Sequence, residues 1–94
     1  MKIIHITQSK KKDKRFKVYL DNGDAYDFGL KDGETYIDHK DQKKRTNYWL
    51  RHLGNKKEKE LIDNFIPSPA LFSAYLLWNN SNLRDNIEWL NSKL

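Results

Sequence analysis

The chain has 94 residues, with three Trp, five Tyr, four Phe, no cysteine and a formal net charge of +5. That length sets one domain with a small core, since such a chain buries only about 60–65% of its unfolded surface. It holds no disulfide, thiolate metal site or Cys nucleophile, and no apolar run nears the roughly 20 residues that span a bilayer. The segment from Met1 to Thr7 is too short for a signal peptide and is followed by charge. Sixteen of the eighteen Lys and Arg lie in residues 1–59. Residues 60–94 carry only Arg84 and Lys93, against Glu60, Asp63, Asp85 and Glu88. The basic character belongs to the N-terminal two-thirds and points to a polyanionic partner. Solubility alone is the competing explanation.

The run KIIHIT, Lys2 to Thr7, has β character, with Ile4 and Ile6 alternating against Ile3, His5 and Thr7. His5 falls on the wetter face. Gln8 to Arg15, QSKKKDKR, has no apolar residue and is expected to be an exposed loop. Phe16 to Phe28 carries a strong hairpin signal. Phe16, Val18 and Leu20 alternate with Lys17 and Tyr19, and Asn22-Gly23 fits a two-residue type I′ turn. Lys31-Asp32-Gly33 is a turn, and Glu34 to Ile37 reads as a further short strand.

Helices follow. Asp38 or Asp41 is placed to cap the first, which runs from Asp41 to Leu53 with Gly54 at its C′ position. Arg45, Trp49 and Leu53 share one stripe. A second helix covers Asn55 to Phe65. Pro67 and Pro69 break the chain, with Ser68 as cap and Pro69 as the first helical residue. Ala70 to Trp78 is apolar nearly all round and reads as a buried central helix. Leu83 to Leu94 is amphipathic. Leu71, Leu76, Trp78, Ile87 and Leu90 form the expected core. The fold class is therefore α+β: a small N-terminal antiparallel sheet with a β-hairpin, then three to four C-terminal helices. One domain spans 1–94, mainly β over 1–37 and mainly α over 38–94.

The stretch from Tyr36 to His52 concentrates the chemistry. Asp38, His39 and Asp41, with His52 nearby, have the donor types of a divalent metal site. The simpler reading gives one Asp to a helix cap, the other to Arg45 or Lys43, and His39 to a turn. A short D-H-x-D string is a weak motif. Lys43, Lys44 and Arg45 crowd a helix start, where the dipole disfavours cations by about 0.3–1 kcal/mol each. A bound anion would offset that. Arg51 lies about two turns from Lys44 on a similar face. Tyr36, Tyr48 and Trp49 are interleaved with cations, as in single-strand binders. Core packing is the commoner use of aromatics in so small a domain, with Arg45 stacked on Trp49.

Three strings, KRFKVYLDNGDAYDFG, TYIDHKDQKKRTNYWLRHLGN and NFIPSPALFSAYLLW, together resemble a family of small uncharacterised proteins of nucleocytoplasmic large DNA viruses, such as algal and giant amoebal viruses. The likeness runs from Lys14 to Leu94. It implies a viral setting, in the virion or in the cytoplasm or nucleus of an infected cell. It transfers no catalytic residues.

These observations lead to a basic non-enzymatic module that binds an anionic partner, nucleic acid first, without strong sequence preference. Lys10, Lys11, Lys12, Lys14 and Arg15 form one expected patch; Lys43, Lys44, Arg45 and Arg51 form the other. No cofactor is expected. Two alternatives stand beside it. A minor capsid or other virion structural protein would set its basic face on acidic protein surfaces. A small metal-dependent nuclease would use Asp38, His39 and Asp41.

Overall fold

A computed structural model describes residues 2–94. Strands β1 (Ile3–Gln8), β2 (Lys14–Leu20) and β3 (Ala25–Leu30) come first. They form an antiparallel sheet in the order β1-β2-β3. Helices α1 (Tyr36–His39), α2 (Gln42–Leu53), α3 (Lys56–Asp63), α4 (Pro69–Leu77) and α5 (Leu83–Lys93) follow. The architecture is α+β, as the sequence pattern indicates.

In β1 the simple alternation fails. Ile3 pairs with Leu20 and His5 with Tyr19, so Ile4 is an extra residue. The bulge turns Ile4 outward, 64% exposed, while Ile3 is buried. The Asn91 side chain completes the edge at Ile3. Its Oδ1 accepts the Ile3 N–H at 2.8 Å, and its Nδ2 donates to the Ile3 carbonyl at 3.1 Å. This ties α5 to the first strand.

The β2–β3 hairpin is present, but its turn is not type I′. The Gly23 N–H donates to the Leu20 carbonyl, and the Leu20 N–H to the Asp24 carbonyl. Gly23 has φ +91°, whereas Asn22 is not left-handed. Type I′ needs positive φ at both central residues. Here Asn22 Oδ1 instead accepts the Asp24 N–H at 3.0 Å. The result is a three-residue loop closed by a left-handed glycine.

The expected loop over Gln8–Arg15 is shorter than its charge suggests. Gln8 belongs to β1, and Lys14 and Arg15 belong to β2. Glu34 to Ile37 is not a strand. Thr35 is the N-cap of the one-turn helix α1, and the Asp38 carboxylate accepts both the Thr35 N–H and its hydroxyl at 2.8 Å. The T-x-x-D spacing works as a capping box and overrides the β preference of Thr35, Tyr36 and Ile37. Strand structure therefore ends at Leu30, and helix begins at Tyr36 rather than after residue 37.

Asp41 caps α2, accepting from the Lys43 and Lys44 N–H groups. Gly54 has φ −72° and serves no left-handed cap. The chain passes directly to Asn55, whose side chain caps α3. Helix α3 ends in a Schellman arrangement. The Ile66 N–H donates to the Leu61 carbonyl and the Phe65 N–H to the Ile62 carbonyl. Phe65 takes φ +51°, unfavourable for a non-glycine. Its ring stacks on Tyr75, 5.3 Å between centroids, which compensates.

Ser68 caps α4 and Pro69 opens it, as expected. Leu71, Phe72, Ala74, Leu76 and Leu77 are buried, so α4 is the centre of the molecule. The sheet lays Val18, Leu20 and Phe28 against it. Gly29, at φ +78°, lets β3 approach: a Cβ there would come within 3.1 Å of Leu77 Cδ1. Trp78 and Leu90 complete the expected core, while Ile87 is only half-buried. No helix among the described residues is long and apolar enough to cross a membrane.

Candidate anion-binding site

The cations of the two clusters divide into structural and free. Arg15 is structural. Its Nη1 and Nη2 donate to the two Asp38 oxygens at 2.6 and 2.7 Å, and Nη1 also reaches Thr35 Oγ1. This bidentate pair fastens β2 to α1. It also holds the Asp38 carboxyl well below the usual carboxylate range, helped by the Thr35 donors and opposed by partial burial. Asp38 was expected to cap α2 or to pair with Arg45 or Lys43. It does neither, because α1 turns it toward the sheet.

That depressed pKa has a stability consequence. Asp38 is more acidic folded than unfolded, where a carboxyl titrates near 3.9. The stability it contributes is present above about pH 4 and is lost as pH falls through its folded value. Asp38→Asn should cost about 1–2 kcal/mol at pH 7, discounted for partial exposure, and should flatten the loss of stability below about pH 4. Urea denaturation at a series of pH values reads both effects. An unchanged acid limb would show that the pair contributes nothing.

Arg45 is structural as well. Its Nε donates to the Trp78 and Asn79 carbonyls at 3.0 and 2.8 Å, at the end of α4. The Trp49 indole N–H donates to the same Trp78 carbonyl at 2.9 Å. Arg45 and Trp49 together bind α2 to α4, satisfying carbonyls that the helix leaves open. The Arg45 guanidinium lies 5.5 Å from the Tyr36 ring centroid, so it stacks on Tyr36 rather than Trp49. In the first cluster, Lys11 pairs with Asp27 at 3.6 Å. The Ser9 hydroxyl keeps the Asp27 pKa low, with Lys11 and Lys17 adding to it against desolvation.

The remaining cations are accessible. Lys10 and Lys12 are exposed on the β1–β2 turn, and Lys43 and Lys44 on the first turn of α2. Among the described residues, none of these four is in an ion pair, and neither is Lys14 or Arg51. Lys14 and Arg51 line a cleft of about 510 Å³ between the Leu30–Thr35 segment and α2–α4. Arg51 and Lys44 line an adjoining recess of about 340 Å³. Glu34, Tyr48, Arg51 and Trp78 belong to both. Tyr48 and Trp78 stack at 4.3 Å with a 4° interplanar angle and are buried, so they are the wall of this surface. Burial pushes the Tyr48 hydroxyl pKa up; the Ser73 hydroxyl, 3.4 Å away, opposes this.

The acidic and histidine residues do not form a metal centre. Asp41 is a helix cap, its pKa lowered first by the Lys44 N–H, against desolvation, and then by that of Lys43. His39 Nδ1 accepts the Asp41 N–H at 2.9 Å. His52 Nδ1 lies 2.6 Å from Glu58. Among the described residues, no group of three or more His, Cys, Asp or Glu is placed to hold a metal ion.

Comparison with curated proteins and with solved structures finds no match. A family model described as a family of unknown function (DUF5754) matches residues 4–52. That span takes in the sheet apart from Ile3, the Arg15–Asp38 pair and both cation clusters, and it ends just before the last residue of α2. Covering more than half of the sequence, the match establishes that the chain belongs to the DUF5754 family.

Proposed function

We propose that this protein is a basic, non-enzymatic module that binds nucleic acid through its phosphates, without strong sequence preference. We further propose a large DNA virus as the setting, a reading supported by the resemblance of its TYIDH and PSPALFSAYLLW strings. One observation carries the reading. Cations from two clusters about thirty residues apart line one continuous recessed surface, in the order Lys14, Arg51, Lys44. A track of unpaired cations needs no base contact to hold a phosphate backbone.

The test is binding to DNA and RNA across a salt series. Three or four phosphate contacts give a slope of about −2 to −4 in log affinity against log salt. Replacing Lys12, Lys14, Lys43 and Lys44 by Ala should weaken binding to all sequences alike and flatten the slope by about 2–3. Arg15 and Arg45 are left in place, since both hold the fold. Absence of binding to either nucleic acid at low salt would overturn the reading. A second reading, a virion structural component, is favoured by Leu50. It is 69% exposed and borders a shallow groove with Trp49 and Leu53. In that case the same cations meet an acidic protein surface.

A further inference from the structure

The cleft of about 510 Å³ bordered by Lys14 and Arg51 differs in character from the cations around it. Leu30 at the end of β3 lines one side, and Pro69 and Ala70 in the first turn of α4 line the other. Leu30 is 70% exposed, so its apolar surface is open. The charges on the lining balance. Lys14 and Arg51 bring two positive charges and Glu34 and Glu58 two negative ones, with no net charge left. A neutral, partly apolar recess is a poor seat for a phosphate and a good one for an uncharged planar group. Its volume falls within the range of about 300–1,000 Å³ that small-molecule sites occupy.

His52 and Glu58 supply the directional chemistry on the same lining. His52 Nδ1 lies 2.6 Å from Glu58 Oε2, and the His52 ring packs on Tyr48 with centroids 4.1 Å apart. A carboxylate only accepts, so Nδ1 carries the proton and the neutral ring keeps Nε2 as an acceptor. Glu58 Oε1 is a second acceptor. Among the described residues neither atom has a hydrogen-bond partner, and neither is a buried orphan, so both are open to solvent. Tyr48 lies between His52 and Trp78, which leaves it no free face for stacking. Apolar contact with a ligand therefore falls to Leu30, Pro69 and Ala70. Every nucleobase carries at least one N–H on its pairing edge, and in a duplex the opposite strand accepts it. Two open acceptors in a neutral cleft therefore suit an unpaired base of any kind and not a paired one.

We infer that this cleft is the seat of one unpaired nucleobase. Leu30, Pro69 and Ala70 contact the base, Glu58 and His52 accept from its edge, and Lys14 and Arg51 hold the flanking phosphates. This rests on the nucleic-acid reading of the same surface and deepens it by naming the form of the ligand, a single strand.

The experiment is fluorescence anisotropy of the full chain at fixed low salt with three labelled probes. One is a short single-stranded DNA of mixed sequence. The second has the same backbone with abasic sites in place of its central nucleotides, so every phosphate remains. The third is a duplex. The abasic strand should bind about tenfold more weakly than the intact one, the scale of one base contact. Ala70→Leu places a larger side chain in the cleft and leaves every cation in place. It should lower intact-strand affinity to the abasic value while abasic and duplex binding stay unchanged. Leu30→Ala, on an exposed side chain that the fold does not need, should reduce the same difference and guards against a misfolded Ala70 variant. Equal binding of intact and abasic strands would overturn the base site and leave the phosphate reading standing. A difference between those strands that survives both substitutions would place the base elsewhere and also overturn it. No binding of any probe would overturn the nucleic-acid reading and the base site with it.

Discussion

Leu76→Ala should remove a large share of the stability of this domain. Leu76 is fully buried in α4, the helix on which the sheet, α3 and α5 all pack. Truncating a buried leucine removes its transfer free energy and leaves a cavity, at a cost of about 2–5 kcal/mol. A 94-residue domain has only about 5–15 kcal/mol of stability in total, and small domains sit at the low end. The neighbours leave little room to collapse into the cavity. Leu77 is held against the Gly29 approach, and Phe72 lies between Tyr26 and Phe28, with centroids 5.5 and 6.2 Å away. Equilibrium urea denaturation measures the loss as a lower midpoint with unchanged slope. A cost below about 1 kcal/mol would mean that α4 is not the centre of the core.

Much of the fold was legible because its signals are local. Ser68-Pro69, Asn55 and Asp41 sit where helices start, and each caps the helix that follows. Asn22-Gly23 marks a turn, and only its type required the Asn22 dihedral. The misreadings have local causes too. Thr35 and Asp38 form a capping box that three β-prone residues conceal, and the Ile4 bulge breaks an alternation that counts residues evenly.

The site was less legible, because charge is visible in sequence and its partners are not. Lys43, Lys44 and Arg45 are consecutive, yet Arg45 turns inward to carbonyls 33 and 34 residues away while its neighbours stay in solvent. Arg15 looks like one more cation of QSKKKDKR, yet Asp38 claims it from 23 residues away. Removing Lys43, Lys44 and Arg45 together would therefore damage the fold as well as the surface. His39 reads in sequence as a metal-site candidate or a turn residue, whereas the left-handed turn at Lys40 makes it the acceptor of the Asp41 N–H. Lysine offers no sequence cue for that conformation.

Asn86→Asp should be nearly as damaging as the core truncation, although it changes one atom. In sequence Asn86 is an ordinary polar position of α5. In the structure it is fully buried and forms the hub between α4 and α5. Its Nδ2 donates to the Leu76 carbonyl at 2.8 Å and to the Asn80 carbonyl at 2.9 Å. Its Oδ1 accepts the Asn80 N–H at 2.7 Å. The turn at 79–82 is thereby closed by one side chain. An aspartate keeps the shape and the acceptor but points an oxygen at two carbonyls. It must either stay ionised in a buried site or take up a proton to restore one donor. The expected cost at pH 7 is about 2–4 kcal/mol, the penalty of unsatisfied buried groups plus charge burial. The buried aspartate has a raised folded pKa, so the folded state binds the extra proton. Stability relative to wild type should therefore recover as pH falls from 7 toward about 4, the reverse of the Asp38 effect. Asn86→Ala removes the charge but keeps the unsatisfied carbonyls, and its deficit should not vary with pH. Denaturant midpoints of the three proteins at pH 5 and pH 7 measure both effects. Equal deficits for the two variants at both pH values would show that the buried charge contributes nothing, leaving only the loss of donors common to both.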